Sequence, residues 1–372
     1  MTEPGPAGRG GSPGVHAAGP PVHVVLPGDV DDRRLPSGGN VYGLRVCAGL
    51  PAAGRAVHAH RIGGTWPRPA APARRALARC LEALPAGADV LLDGLVACGV
   101  PEAVVPAAAR LRLTVLVHLP LGDESGLDPA VAAALSTREG RVLRAARAVV
   151  ATSPHTARRV RDLHGVAAHV VAPGVDAAAP TQPSEAGSRL LCVGSITPTK
   201  GQDVLVRALA RIADREWTCA LVGPTERDPE HVERVRGLVQ CHDLGRRVRL
   251  DGPRTGVDLD ASYAAADLLV VPSRRETYGM VVTEALARAT PVVAAGVDGL
   301  PETVRGDGTG RGDLPGLLVA PDPDMADALA AALRRWLDEP ALRADARAAA
   351  RRRRPRLAGW DVTARRLTEV LA

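Results

Sequence analysis

At 372 residues, nearly half of them hydrophobic, the chain is long enough for two packed domains, because single cores stop growing near ~250–300 residues. The net charge of +6 is arginine spread over many segments, and an aromatic content of 2% leaves almost nothing for bases to stack on, which argues against nucleic-acid binding. Six scattered cysteines without a C-x-x-C pair, and no run of about 18 uncharged apolar residues, argue against disulfides, a zinc cluster or a spanning helix, and point to a reduced cytoplasmic protein with at most weak peripheral contact with anionic lipid.

Residues 1–20 are Gly, Pro, Ala and Ser without an apolar core segment, so they read as a disordered tail, neither signal peptide nor anchor. From Val22 onward, strand-like runs at 22–26, 56–60, 88–92, 113–117, 148–151 and 168–172 alternate with Ala/Leu/Arg stretches of helical period. That alternation predicts a mainly parallel sheet covered on both faces, in a first domain spanning 21–176. The first strand runs through P27-G-D-V-D-D-R-R-L-P to S37-G-G-N40 and a helix, and a diglycine there lets backbone approach an anion. His58 and His60 share one face of a strand, but two ligands do not close a metal site, and no metal is expected. His118 stands at the carboxyl end of a parallel strand, where open α/β sheets place ligands. Ser153 and Pro154 read as a helix N-cap and first helical residue, a structural pair.

Residues 177–188, rich in Ala, Pro, Thr and Ser, read as the linker to a second β-α series with strands at 189–193, 219–222, 248–250, 267–271, 291–295 and 316–319, in a domain spanning 189–355. Its first turn, G194-S-I-T-P-T-K-G201, carries Lys200, the chain's single lysine, without Walker spacing. Arg254 lies in G252-P-R-T-G256 after another strand, and Tyr263 reads as helix packing. The strand D267-L-L-V-V-P272 then ends in a polar loop bearing Glu276, and a helix begins near Gly279 with Glu284 inside it. The free first-turn amides of Gly279, Met280 and Val281 form a natural phosphate seat. Glu284, on the order of 6–8 Å further along the axis, suits a carboxylate that accepts from a nucleotide's ribose, and Glu276 faces what hangs from the far phosphate. Residues 356–372 close the chain with an amphipathic helix that offers Trp360, Val362, Leu367 and Leu371 for burial.

The segment P272-S-R-R-E-T-Y-G-M-V-V-T-E-A-L-A287, with seven residues between its two glutamates, resembles the signature of the retaining, nucleotide-sugar-dependent glycosyltransferases of family 4. With the Lys200 turn, the resemblance covers nearly the whole chain from about residue 21. It implies an α/β GT-B fold: two Rossmann-like, doubly wound parallel-sheet domains facing across a cleft, with the last helix returning to the first domain. It implies no cofactor, and a sugar moved from a nucleoside-diphosphate sugar as co-substrate to a hydroxyl of a small-molecule or glycan acceptor, with attack on the face the leaving group departs from. His118, Lys200 and Glu276 are then the catalytic set. Gly38, Gly39, Asn40, Ser195, Arg254, Tyr278, Gly279, Met280, Val281 and Glu284 bind the donor.

One position departs from the pattern. Ser195 stands where family members carry an arginine on the donor diphosphate, which leaves Lys200 with Arg254, Arg274 or Arg275 as candidates for the missing charge. The substitution also keeps open a subunit that binds nucleotide sugar without transferring it, beside a nucleotide-sugar epimerase on the same architecture. Two first-domain loops are acidic, with Asp29, Asp31 and Asp32 in one and Asp123, Glu124 and Asp128 in the other. Such loops read either as solvated surface and helix caps or as a field that favours a cationic small-molecule acceptor, for instance an aminocyclitol on the way to an antibiotic.

Overall fold

The structure, a computed structural model, describes residues 19–124, 126–306, 314–321 and 325–372. The expected tail lies outside the described residues up to position 18, while Gly19 and Pro20 already belong to the first strand.

Twelve strands are seen among the described residues: β1 (Gly19–Pro27), β2 (Arg55–Ile62), β3 (Asp89–Asp93), β4 (Arg112–Val117), β5 (Ala148–Ala151), β6 (His169–Val170), β7 (Arg189–Val193), β8 (Thr218–Val222), β9 (Val248–Gly252), β10 (Leu268–Val271), β11 (Val292–Ala295) and β12 (Gly316–Val319). Helices cover them in alternation: α1 (Gly38–Gly49), α2 (Ala71–Glu82), α3 (Gly94–Ala97), α4 (Pro101–Ala107), α5 (Pro129–Ala145) and α6 (Pro154–His164) in the first half. The second half carries α7 (Gln202–Ala210), α8 (Pro229–Cys241), α9 (Val257–Ala264), α10 (Met280–Ala287), α11 (Leu300–Arg305), α12 (Met325–Asp338), α13 (Pro340–Arg353) and α14 (Trp360–Leu371).

Two six-stranded sheets result, in the orders β2-β1-β3-β4-β5-β6 and β12-β11-β10-β7-β8-β9, and the pairings given for both are parallel. This is the GT-B architecture. The apolar runs that read as strands are buried because helices lie on both faces: Val25, Val90 and Val115 sit in one cluster with Leu77 and Val142, and Val22, Val24 and Leu91 in another. Leu367 and Leu371 of α14 belong to that second cluster, beside Tyr42 of α1, and Trp360 meets the Tyr42 ring edge-on at 5.9 Å. The chain's last helix therefore packs on the first sheet. The segment 177–188 is tied to the second: Ser184 N–H and Oγ both donate to the buried Asp267, each at 2.6 Å. In the second sheet the strand order turns back between β7 and β10, and the carboxyl ends of two such strands bound the crevice where open α/β sheets receive ligands.

Candidate active site

Two turns of the second domain meet at that crevice. Lys200 follows β7 and Glu276 follows β10, and Lys200 Nζ donates to Glu276 Oε2 at 2.5 Å, with 32% and 14% of the two side chains exposed. The Glu276 loop is braced from behind by Asp298, whose Oδ2 accepts from the Glu276 backbone N–H and from Arg275 Nε, both at 2.9 Å. Gly279 then opens α10 with φ +85°, a conformation an L side chain adopts only with strain, and an added Cβ would lie 2.6 Å from Leu300 Cδ2. No side chain caps α10, so its positive end is left to whatever fills the cleft.

Glu284 lies one turn into α10, at the cleft floor. Tyr263, read from the sequence as helix packing, is fully buried but also donates through Oη to Glu284 Oε2 at 2.6 Å. Burial raises the Glu284 carboxyl above its ordinary value, and the Tyr263 hydrogen bond and the Arg288 charge only partly offset that. Arg288 also stacks over the Tyr263 ring at 4.7 Å. Arg254, beyond Glu284, donates to Ser262 Oγ at 2.8 Å and pairs with Asp251 at 3.0 Å.

The first domain supplies the opposite wall. Ser37 caps α1, its Oγ accepting from the Asn40 N–H at 3.1 Å. A Cβ on Gly38 would stand 3.3 Å from Met280 Sδ across the cleft, and one on Gly39 would stand 3.4 Å from the His118 ring. His118 packs edge-on against Tyr42 at 5.4 Å, with Nε2 3.5 Å from Asp93. Further contacts bridge the two domains around the cleft: Tyr278 Oη donates to Pro173 O at 3.3 Å, Arg33 Nε to Thr255 Oγ1 at 3.1 Å and Arg227 Nη2 to Leu35 O at 3.1 Å.

A cavity of about 690 Å³ lies between the walls, and His118, Lys200, Glu276, Gly38, Gly39, Ser195, Arg254, Tyr278, Gly279, Met280, Val281 and Glu284 all line it. Asn40 does not; its backbone is spent on the helix cap. Cys192 also lines the cavity, but burial pushes its thiol up to about 12, so it stays protonated at neutral pH. No group of three or more His, Cys, Asp or Glu side chains that could hold a metal occurs among the described residues. The pair His58 and His60 has a third neighbour the sequence did not reveal: His23, on the adjacent strand, places Nδ1 3.0 Å from His60 Nε2.

Of the arginines considered for the charge missing at Ser195, Arg274 is outside the cavity wall. Both its amino groups bind Asp203 at 2.8 Å, and although burial opposes it, that pairing holds the Asp203 carboxyl down at about 2. Arg275 lines the cavity but is divided between Asp298 at 2.9 Å and Asp123 at 3.5 Å. Arg227, which sequence reasoning passed over, is also in the wall. Nothing in its local sequence marked it, because only the sheet order sets its loop beside the Ser195 turn.

The acidic loops do not present the field read from their composition. Asp31 binds Arg61 at 2.6 Å, Asp32 binds Arg34 at 2.8 Å, and both Asp123 oxygens accept from Arg159 at 2.7 Å. Asp128 caps α5, its Oδ1 accepting from Ala130 N–H at 2.9 Å. Of the acidic residues named in those loops, Glu124 is the one that lines the cavity.

Comparison with known proteins adds to this geometry. Residues 178–353 match the family model of the glycosyl transferases group 1. A D-inositol 3-phosphate glycosyltransferase of Kineococcus radiotolerans is 40% identical over 256 residues, 62% of this chain and 58% of that protein, and one of Salinispora tropica is 37% identical over 193 residues, 50% of this chain and 38% of that protein. The aligned part thus spans less than two thirds of either relative. Among solved structures, a sucrose-phosphate synthase of Thermosynechococcus elongatus superposes with TM-score 0.75 at 24% identity, over 94% of this chain and 98% of that one. Anabaena HepE, solved with UDP and glucose, superposes with TM-score 0.71 at 19% identity and the same coverage. Both share the fold.

Proposed function

We propose, for a chain whose residues 178–353 belong to the glycosyl transferases group 1 within a GT-B fold, that it transfers a sugar from a nucleoside-diphosphate sugar to a hydroxyl of a small cyclitol acceptor, with retention at the anomeric carbon. The observation that carries this reading is the Lys200–Glu276 pair at the switch point of the second sheet, facing Gly38, Gly39 and His118 across one cavity. In that cavity the uncapped start of α10 and Lys200 receive the diphosphate, and the Glu284 oxygen not engaged by Tyr263 receives a ribose hydroxyl. Glu276 and His118 face the sugar.

The barrier lies in breaking the anomeric bond, where positive charge grows on the ring and negative charge on the departing diphosphate. Fixed amides and an ammonium aimed at that oxyanion stabilise it without reorganising. The departing phosphate oxygen accepts the acceptor's proton, and attack comes from the face it leaves. This needs no metal, so chelator leaves the rate unchanged; loss in EDTA restored by manganese or magnesium would show a different means of neutralising the diphosphate.

A cationic aminocyclitol loses its support once Asp31, Asp32 and Asp123 are seen bound to arginines. The names of the relatives favour a phosphorylated inositol instead. The test incubates the protein with a panel of nucleotide sugars and three acceptors: inositol 3-phosphate, inositol and an aminocyclitol. Nucleotide release that depends on acceptor, fastest with the phosphate, is the expected result. Release of nucleotide and an altered sugar without acceptor would mean an epimerase-like enzyme. Binding without turnover would mean a non-catalytic subunit.

A further inference from the structure

Four basic side chains of the second domain line the cavity, and three already face carboxylates. Lys200 is on Glu276, Arg254 on Asp251, and Arg275 on Asp298 and Asp123. Arg227 is the exception. It is exposed, forms no ion pair among the described residues, and its hydrogen bond goes to a neutral carbonyl, Leu35 O. That partner uses one of the five guanidinium donors.

Its place in the sheet gives this freedom a purpose. Arg227 stands in the loop after β8, the strand beside β7, and that loop lies directly on the Ser195 turn. Gly194 N–H donates to Val222 O at 2.8 Å, Ile196 N–H donates to Pro224 O at 2.9 Å, and a Cβ on Gly223 would stand 3.0 Å from the Ser195 nitrogen. Arg227 and Ser195 line the same cavity, so a long cationic side chain from this loop borders the wall where position 195 carries only a hydroxymethyl group.

We propose that the Arg227 guanidinium supplies the second positive charge to the donor diphosphate, from the neighbouring loop, in place of a cation at position 195. The inference rests on the nucleotide-sugar reading above. Because Arg227 also holds Leu35 of the first domain, it joins diphosphate binding to the contact between the two cleft walls. A planar guanidinium offers paired donors to phosphate oxygens, which a compact ammonium does not, so Arg227→Lys is not a neutral change.

The experiment titrates UDP, GDP, ADP, CDP and dTDP into wild-type protein, Arg227→Ala, Arg227→Lys and the double variant Ser195→Arg/Arg227→Ala, and measures transfer in parallel. Arg227→Ala is expected to weaken nucleoside-diphosphate binding and kcat/KM by about 10- to 100-fold, the range of a hydrogen bond to a charged group, with unchanged melting temperature because the side chain is exposed. Arg227→Lys keeps part of the affinity, and Ser195→Arg in the Arg227→Ala background recovers most of it. Nucleotide affinity within about twofold of wild type in Arg227→Ala would overturn the proposal, as would a defect confined to the acceptor KM. Wild-type protein that binds none of UDP, GDP, ADP, CDP and dTDP would instead overturn the nucleotide-sugar reading itself.

Discussion

The cleft has two helix starts that face each other, and they are built differently. α1 is capped from within by Ser37 and begins on Gly38 and Gly39, whose lack of side chains lets Met280 and His118 come close. α10 begins on Gly279 in the left-handed conformation with no side-chain cap, flanked by the Lys200–Glu276 pair. The first wall is thus shaped for approach, and the second keeps charge and unsatisfied amides for a ligand. A diglycine and a lone glycine look equivalent in sequence as phosphate turns; in the fold the first helix start has a side-chain cap on the Asn40 N–H, and the second has none.

The largest effect should follow from Lys200→Ala, which removes the ammonium of the second wall and leaves Glu276 without its partner. A loss of about 100-fold or more in kcat/KM is expected, with little change in melting temperature because the pair is partly exposed. A large fall in stability with activity per folded molecule preserved would turn the second wall into ordinary structure.

Gly279→Ala and Gly38→Ala sharpen the contrast directly. At Gly279 the added methyl must accept φ +85° and displace Leu300, so stability should fall by about 1–2 kcal/mol and nucleotide binding with it. At Gly38 the methyl meets only Met280 Sδ, so stability and nucleotide affinity should hold while transfer slows several-fold. Calorimetry on both variants, with and without acceptor, checks this; equal behaviour of the two would erase the distinction between the walls.

A smaller effect concerns Ser37→Ala, which deletes the α1 cap and should cost about 1 kcal/mol of stability with donor affinity intact. The smallest is a pH dependence at Glu284. Its carboxyl is raised in the fold by burial, so it contributes stability fully below the unfolded-state value, and that contribution is lost as pH rises through the raised value. Glu284→Gln cannot ionise, so its melting temperature relative to wild type should climb as pH rises through and beyond the carboxylate range. A difference flat with pH would contradict the raised value.

Hydrophobic periodicity and turn residues by themselves determined the two β-α series, their parallel sheets and the strand-loop-helix unit around Glu276, because those features depend on residues near one another in the chain. The same local signals placed Lys200, Gly279 and Glu284 at strand ends and a helix start, where ligands bind. What the tertiary structure alone decided was which charges are already spent. Asp31, Asp32 and Asp123 looked like a free acidic field, yet Arg61 and Arg159 answer Asp31 and Asp123 from distant parts of the chain, and Arg34 folds back on Asp32 within the same loop. Arg274 looked like a donor cation, yet Asp203 holds it. Tyr263 looked like packing, yet its hydroxyl fixes Glu284, and Arg227 carried no signal until β8 was seen beside β7. A side chain's charge is visible in sequence, but which partner it meets depends largely on strand order and domain contact, and that partner sets how much of the charge is offered to a ligand.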